Sequence, residues 1–255
     1  MKLIINADDY GKDLRTTRAI VQAFSEGLCS STTIIANGDA FEEAVELARE
    51  SHILDKLGIH LNLTEGKPIS EPIRRLNSFC DKEGFFNGYF YHNYSVKLEG
   101  LSRREKDAVS LEVRAQLERC LRSGLSLSHV DSHHHVHIRW EIWQAVEPVL
   151  RDYCLSNVRI SRNCGESISF LKLAYKFFFN KRLRVVGFKT ANFFGSAKDV
   201  LYLLTKRPQL TGRVVVIEVM VHPKYLDIVE LYDLNGKKLA DAIKAIPGWE
   251  YAVSF

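Results

Sequence analysis

The chain has 255 residues, of which 46% are hydrophobic and 26% charged, and its formal net charge is +4 at pH 7. These ordinary globular values argue against a disordered or fibrous protein, and so small a positive charge does not by itself indicate nucleic-acid binding. The length fits a single α/β barrel of roughly 250 residues, and no run approaches the roughly 18 consecutive apolar residues of a membrane-spanning helix.

Short apolar runs alternate with amphipathic segments at the start of the chain. Strands are predicted at Lys2–Asn6, Thr32–Ala36 and Leu57–Leu63, and helices between them at Thr16–Gly27 and Ala40–Glu50. Four apolar side chains recur at helical spacing in the second helix: Phe41, Ala44, Val45 and Ala48.

Residues at about 65–100 interrupt this alternation with prolines, glycines and many aromatic residues. Loops of this length in compact domains are usually functional or mobile. Because aromatic faces stack on sugar rings, the segment is interpreted either as a substrate lid or as a loop packed on the domain.

Regular alternation resumes after this insertion. The further predicted elements are a helix at Ser102–Ser123, a strand at Leu127–Asp131, a helix at Trp140–Tyr153, and strands at Val158–Ser161 and Arg213–Met220, followed by a helix at Ala240–Ile246 and a strand at Tyr251–Phe255. Strands that alternate with helices indicate a parallel sheet. We therefore predict an α/β fold with about seven or eight strands in a closed or nearly closed barrel, forming one domain over residues 1–255.

Polar clusters follow four of these predicted strands, at residues 6–11, 58–64, 129–137 and 218–223. Active sites of α/β barrels lie at the carboxyl ends of the strands and combine residues from several of them. The adjacent carboxylates Asp8 and Asp9 repel each other, and burying both is costly without a cation or hydrogen-bond donors. They indicate a divalent metal ion or a shared acid–base task, or else a solvated loop that caps the next helix.

Five histidines lie within residues 129–137. Histidine is the commonest transition-metal ligand in proteins, which favours a metal site here. Not all five can bind one ion, and in extended backbone His133 and His135 would share a face while His134 points away. One or two are therefore expected to be ligands, and the others to contact ligands, substrate or the core.

Two further histidines and a glutamate occupy the other strand ends. His60, alone in an apolar strand, is by itself more typical of a core residue than of a ligand. His222 precedes Pro223, which ends the strand, so it is a candidate general acid near the barrel mouth or a packing residue. Glu218 could orient a neighbouring side chain or be a satisfied core carboxylate.

These motifs together resemble those of the YdjC-like carbohydrate deacetylases, the family of chitooligosaccharide deacetylase. The matching stretches, in family order, are Asn6–Gly11, Ser31–Thr33 with Asn37–Gly38, Gly58–His60, the string of residues 129–137, and Glu218–Pro223. The resemblance implies a distorted TIM-like (β/α) barrel and a hydrolase that removes acetyl from an N-acetylhexosamine-containing carbohydrate.

The resemblance also implies a role for individual residues. Asp9, His60 and His133 would bind one divalent metal ion, Asp8 would be the general base and His222 the general acid, and Asp131 and Arg159 would support them. Two imidazoles and one carboxylate suit zinc or cobalt better than magnesium, whereas the family has been described with magnesium. The resemblance assigns no substrate-binding residues.

Residues 167–198 depart from this picture. They carry seven lysines and arginines, no acidic residue, and half of the 14 phenylalanines. A basic, aromatic amphipathic helix can lie on an anionic membrane surface, and the same residues could equally form a barrel helix with a homodimer interface. The segment therefore raises an alternative substrate, a lipid-linked GlcNAc or GalNAc of envelope polysaccharide or lipid A modification.

A soluble chito-oligosaccharide is the other substrate that we considered, and a catalytically silent carbohydrate-binding relative is the alternative from another class. We expect no nucleic-acid partner. We expect a cytoplasmic protein, at the inner face of the membrane if the basic aromatic segment contacts lipid.

Overall fold

The computed structural model describes residues 1–92, 100–166, 170–226, 229–247 and 250–251. The strands and helices, in chain order, are β1 (Lys2–Tyr10), α1 (Leu14–Ser25), β2 (Ser31–Ile34), α2 (Phe41–Glu50), β3 (Leu57–Leu61), α3 (Glu71–Arg74), α4 (Tyr89–His92), α5 (Arg103–Arg122), β4 (Val130–Ser132), α6 (Trp140–Asp152), α7 (Phe170–Val185), β5 (Phe193–Ser196), α8 (Ala197–Lys206), β6 (Val216–Val221), β7 (Lys224–Tyr225), β8 (Leu231–Tyr232), α9 (Leu239–Lys244) and β9 (Glu250–Tyr251). Short 3₁₀ helices lie at Leu54–Lys56, His133–Ile138 and Pro208–Gly212.

The main sheet has six strands on one path, in the order β4-β3-β2-β1-β6-β5, and β9 pairs with the start of β1. Every pairing in this sheet is parallel. Since parallel strands present their carboxyl ends at one edge, the polar clusters that follow β1, β3, β4 and β6 lie together.

An irregular segment connects the two outer strands. The backbone N–H of Val130 donates to the carbonyl of Asn157, and that of Val158 donates to the carbonyl of Lys189. A few residues later, the N–H of Asn192 donates to the carbonyl of Val216, at the start of β6. These bonds curl the sheet into the distorted barrel that the sequence predicted.

Helix positions follow from capping and apolar periodicity. The Asp13 side chain accepts the backbone N–H of Thr16 at the start of α1, and Ser102 with Glu105 forms a capping box at the start of α5. The predicted apolar face of α2 is confirmed, because all four of its members are buried: Phe41, Ala44, Val45 and Ala48.

Some predicted elements were wrong in detail. Val158–Ser161 does not form a strand, because only isolated bridges at Asn157 and Val158 connect it to its neighbours. β6 begins at Val216 and not at Arg213, since Val214 is almost fully exposed. The elements β5 and α8 were not predicted. Of the predicted last strand, only Tyr251 lies within the described residues.

The insertion contains the short helices α3 and α4 and a bridge between Cys80 and Phe86. Ile73, Phe79 and Phe86 are buried against the barrel, so the described part of the insertion is packed on the domain. No helix among the described residues combines the length and apolar character needed to cross a membrane.

Candidate metal and catalytic site

The five side chains that the resemblance assigns as metal ligands, general base and general acid line one cavity of about 450 Å³ at the carboxyl ends of the strands. They are Asp8, Asp9, His60, His133 and His222. Asp131 and Arg159 are fully buried and contact members of this group. The barrel therefore brings together residues from widely separated parts of the chain.

The end of β1 has an unusual backbone. Asp9 has a φ of 74°, which is uncommon for a residue other than glycine and is found mainly at functional sites. The next loop approaches it closely, because a Cβ on Gly38 would lie 2.1 Å from the carbonyl oxygen of Gly11. Only glycine at position 38 allows the loops after β1 and β2 to meet.

Asp9, His60 and His133 form a compact group of ligand atoms. Oδ1 of Asp9 lies 2.8 Å from Nδ1 of His133 and 3.3 Å from Nε2 of His60. Oδ1 is buried, and within the described part of the chain neither imidazole approaches it with the geometry of a full hydrogen bond. A buried acceptor without a donor is costly, and a cation among the three atoms would satisfy it.

His60 is oriented for this contact from its other side. Its Nδ1 lies 2.6 Å from Oδ1 of Asp131, and Oγ1 of Thr33 donates to Oδ2 of the same carboxylate. Because this carboxylate accepts the Nδ1 proton, Nε2, the nitrogen that faces Asp9, is the one that can bind a metal ion in place of its own proton. Asp131 therefore sets the ring nitrogen that His60 can offer to a metal ion.

We expect Asp131→Asn to weaken metal binding about 10- to 100-fold, because an amide orients the ring less firmly than a carboxylate does. Calorimetric titration of the metal-free protein with Zn²⁺ or Co²⁺ measures the change. Asp13→Asn is the matched control, since Asn caps a helix about as well as Asp. Equal dissociation constants for the two variants would contradict this role of Asp131.

Buried charge in the site also favours a cation. Burial would raise the pKa values of Asp8, Asp9 and Asp131. Arg159 and His60 hold those of Asp8 and Asp131 below their usual range, and His133 and His60 do so for Asp9. Three carboxylates and one guanidinium leave two negative charges. Burial would lower the pKa of His60, yet the carboxylates of Asp131, Asp9 and Asp8 raise it to about 10. A divalent ion bound here would neutralise this charge and would displace the proton from any histidine that it binds.

Among the residues that the structure describes, two other groups could hold a metal ion, and both are less suitable. In the group of Asp8, His60 and Asp131, both carboxylates already contact Arg159. In the group of Glu65, His133 and His134, Nζ of Lys12 lies 2.8 Å from Oε2 of Glu65. A cation already neutralises each of these carboxylates, so the group around Asp9 fits a divalent ion best.

Arg159 connects three buried carboxylates. Its Nη1 and Nη2 each donate to an oxygen of Asp8 at 2.7 Å, and Nη1 also lies 2.5 Å from Oδ2 of Asp131. Its Nε donates to Oε1 of Glu218 at 2.5 Å. Burial outweighs this contact and raises the pKa of Glu218 to about 7. The network fixes the position of Asp8 and keeps it ionised.

Of the five clustered histidines, only His133 contacts Asp9. The predicted alternation of extended backbone does not apply, because residues 133–138 form a 3₁₀ helix in which His134 and His135 have φ values of 52° and 55°. His134 lines the cavity, and its ring stacks on Tyr91 with centroids 4.0 Å apart. Burial lowers the pKa of His135 to about 3, so its ring is neutral.

His129 and His137 belong to the buried framework. Nε2 of His129 lies 3.0 Å from Oδ1 of Asn6, and a Cβ on Gly58 would lie 2.6 Å from the His129 ring. Nδ1 of His137 lies 2.6 Å from Oγ of Ser132. These two histidines hold the strands together.

His222 enters the cavity from the end of β6. The backbone N–H of His222 donates to Oδ1 of Asp233 at 2.9 Å, which holds the chain where the strand ends. The half-buried side chain faces the same cavity as Asp8 and Asp9. Its position is compatible with proton delivery to a group bound there.

Sequence reasoning missed Lys12 and Glu65. Besides their ion pair, Oε2 of Glu65 lies 3.3 Å from Nε2 of His133, and Nζ of Lys12 lies 3.4 Å from the same nitrogen. Lys12 and Glu65 each directly follow one of the polar clusters at the strand ends. That position in the sequence is the feature by which they could have been identified as site residues.

The chain is similar to several known proteins along most of its length. The family model described as YdjC-like protein matches residues 2–245. A carbohydrate deacetylase of Brevibacillus brevis is 36% identical over 227 residues, covering 89% of this chain and 83% of that protein. A carbohydrate deacetylase of Listeria monocytogenes serotype 4a is 32% identical over 235 residues, with the same coverage. A solved structure from Enterococcus faecalis V583, described as a cellobiose-phosphate cleavage protein, has a TM-score of 0.65 and 28% identity, covering 89% of this chain and 82% of that one.

Proposed function

Because the chain belongs to the family of YdjC-like proteins, we propose that it is a metal-dependent hydrolase that removes the N-acetyl group from an N-acetylhexosamine unit of a carbohydrate. Similarity to proteins named carbohydrate deacetylase supports the reaction class. The observation that carries the proposal is one cavity lined by a candidate ligand trio, an ionised carboxylate and a histidine: Asp9, His60, His133, Asp8 and His222.

In this proposal, Asp9, His60 and His133 hold the metal ion. When bound, a divalent ion would polarise the amide carbonyl and lower the pKa of a coordinated water molecule. Two nitrogen ligands and one oxygen ligand favour Zn²⁺ or Co²⁺ over Mg²⁺, which prefers oxygen ligands.

Asp8 acts as the general base, and its hydrogen bonds indicate which oxygen does so. Oδ1 accepts bonds from Nη2 of Arg159 and Nδ2 of Asn6, whereas Oδ2 accepts only Nη1 of Arg159 among the described residues. A carboxylate oxygen has about two acceptor sites, so Oδ2 keeps one. We assign Oδ2 as the atom that takes the proton from the attacking water.

His222 acts as the general acid in this reaction. An amine expelled as an anion is a very poor leaving group, so the nitrogen must be protonated as the C–N bond breaks. The products are acetate and a carbohydrate with a free amino group.

A second groove extends the cavity and provides room for a neighbouring sugar ring. It measures about 530 Å³ and shares Tyr91 and His134 with the metal cavity. Phe85 lines only this groove, and 45% of its surface is exposed. Aromatic faces of this kind suit the apolar face of a sugar.

We therefore expect Phe85→Ala to raise the KM for an N-acetylglucosamine oligomer about 2- to 10-fold, with kcat nearly unchanged, because the stacking contact is lost. The KM for the monosaccharide should stay constant. Steady-state kinetics with both substrates checks this, and Tyr202→Ala on α8 is the control. An equal rise for both substrates would contradict a second sugar subsite.

The proposed function itself is tested by acetate release from protein loaded with Zn²⁺, Co²⁺ or Mg²⁺. The substrates are N-acetylglucosamine oligomers and lipid-linked GlcNAc and GalNAc. Release from any of them supports a deacetylase, and the active substrate distinguishes a soluble from a lipid-linked one. Metal and sugar binding without acetate release would instead support a catalytically silent carbohydrate-binding protein.

A further inference from the structure

The outward face of α7 exposes a band of large apolar side chains. Among them are Phe170 and Leu171, which are 81% and 80% exposed, and, two turns further along the helix, Phe177 and Phe178, which are 62% and 65% exposed. Residues seven apart lie on one side of a helix, so these four form a continuous surface. Soluble monomers seldom expose such a patch unless it binds something.

The opposite face of α7 already holds the helix in place. Phe179 packs edge-to-face on Trp143, with centroids 5.7 Å apart, and Oδ1 of Asn180 accepts from the backbone N–H and the hydroxyl of Ser161. Leu183 is fully buried. Since these contacts fix the rotation of α7, the apolar band cannot turn inward to join the core.

Positive charge surrounds the apolar band. A groove of about 460 Å³ runs along α7, and its lining includes four cations: Arg162, Lys176, Lys181 and Arg184. Leu173, Phe177 and Val185 form its apolar wall. A groove that combines a cationic rim with an apolar wall matches an amphiphile with an anionic head.

Most of these cations have no acidic partner. Within the described residues, no carboxylate makes an ion pair with Lys176, Lys181 or Arg184, whereas Arg162 pairs with Asp199 at 2.5 Å. Burial and the nearby charge of Arg162 lower the pKa of Lys176. The groove thus holds an excess of positive charge that an anion would stabilise.

The middle of α7 contacts the segment that carries the candidate ligand His133. The hydroxyl of Tyr175 on α7 donates to the carbonyl oxygen of Ile138 at 2.6 Å. Ile138 ends the 3₁₀ helix that begins with His133.

We propose that this face of α7 docks on the surface of an anionic lipid bilayer. The side chains of Phe170, Leu171, Phe177 and Phe178 insert at the boundary between headgroups and acyl chains, and the cations of the groove bind lipid phosphates. Charge favours lipid over a second copy of the chain. A two-fold pairing of the same face would bring two cationic groups together with no acidic residue on α7 to offset them.

The proposal is tested by flotation of the full chain with vesicles of phosphatidylcholine alone or mixed with phosphatidylglycerol. We expect binding to the mixed vesicles, a strong reduction at high salt, and little binding to phosphatidylcholine alone. Lys176→Gln and Lys181→Gln should each weaken binding about fivefold, because both side chains line the groove. Absence of binding to the anionic vesicles would overturn the proposal.

The apolar contribution is tested by the double variant Phe177→Ser with Phe178→Ser. It should abolish flotation while the melting temperature stays near that of the unmodified protein, because both rings are mostly exposed. Leu111→Ser with Leu121→Ser, two α5 residues that are each 45% exposed, is the matched control and should float normally. An equal loss of vesicle flotation in both double variants would refute lipid docking. So would a protein that binds no vesicles and forms a dimer in sedimentation that only the α7 variant disrupts.

Discussion

Replacing Arg159 with Met should lower the free energy of unfolding by at least about 3–5 kcal/mol, the cost of removing one partner from a buried ion pair. The loss is large because one guanidinium contacts three buried carboxylates, those of Asp8, Asp131 and Glu218. A typical domain has only about 5–15 kcal/mol in total, so much of the variant should be unfolded or insoluble. Urea denaturation followed by circular dichroism measures the difference.

Two controls separate this effect from a general cost of mutating arginine. Arg122 makes an exposed ion pair with Glu118, so Arg122→Met should change stability by no more than about 1 kcal/mol. Glu218→Gln keeps an oxygen to accept the Nε proton of Arg159, and we expect it to fold with a loss of about 1 kcal/mol. If Arg159→Met and Arg122→Met unfold at the same urea concentration, the network does not stabilise the fold as described.

Asp8→Asn should reduce deacetylation about 10²- to 10⁴-fold, the usual contribution of a general base. The amide keeps the size of the carboxylate but cannot take a proton from water. The three candidate metal ligands are unchanged, so the affinity for Zn²⁺ or Co²⁺ should remain. Acetate release and calorimetric titration on the same preparation test both parts.

Asp39→Asn is the matched control, because Asp39 is an exposed carboxylate in the loop after β2. It should retain full activity. An Asp8→Asn protein that binds metal and still releases acetate at the normal rate would show that another group is the base. One that loses metal binding together with activity would place Asp8 among the metal-binding residues.

Most of the framework around the site could be predicted from local patterns. The apolar periodicity of α2 and the run at the start of β1 each specify an element and its buried face, because burial acts on residues close together in the chain. β5 was missed because its four residues contain Gly195 and show no alternation. The strand predicted at Val158–Ser161 does not form, because β-branched and apolar content alone does not distinguish a strand from a segment that makes only an isolated bridge to its neighbour.

The histidine cluster shows where local patterns stop being informative. Composition alone identifies residues 129–137 as a place for metal chemistry. The positive φ values of His134 and His135 decide which rings reach Asp9, and those angles depend on contacts with other strands. Spacing along an assumed extended chain therefore predicted the wrong alternation.

The sequence by itself determined the fold class, the family and the strand ends that carry the reactive residues, because these follow from short-range patterns and from motifs in a fixed order. Only the tertiary structure decided that Arg159 lies against Asp8, 151 positions away in the chain, and that Asp131 orients His60. It also decided that Phe177 and Phe178 face solvent while Phe179 faces the core. Local sequence contains the chemistry of each group, whereas its partners, burial and pKa depend on which strands and helices become neighbours.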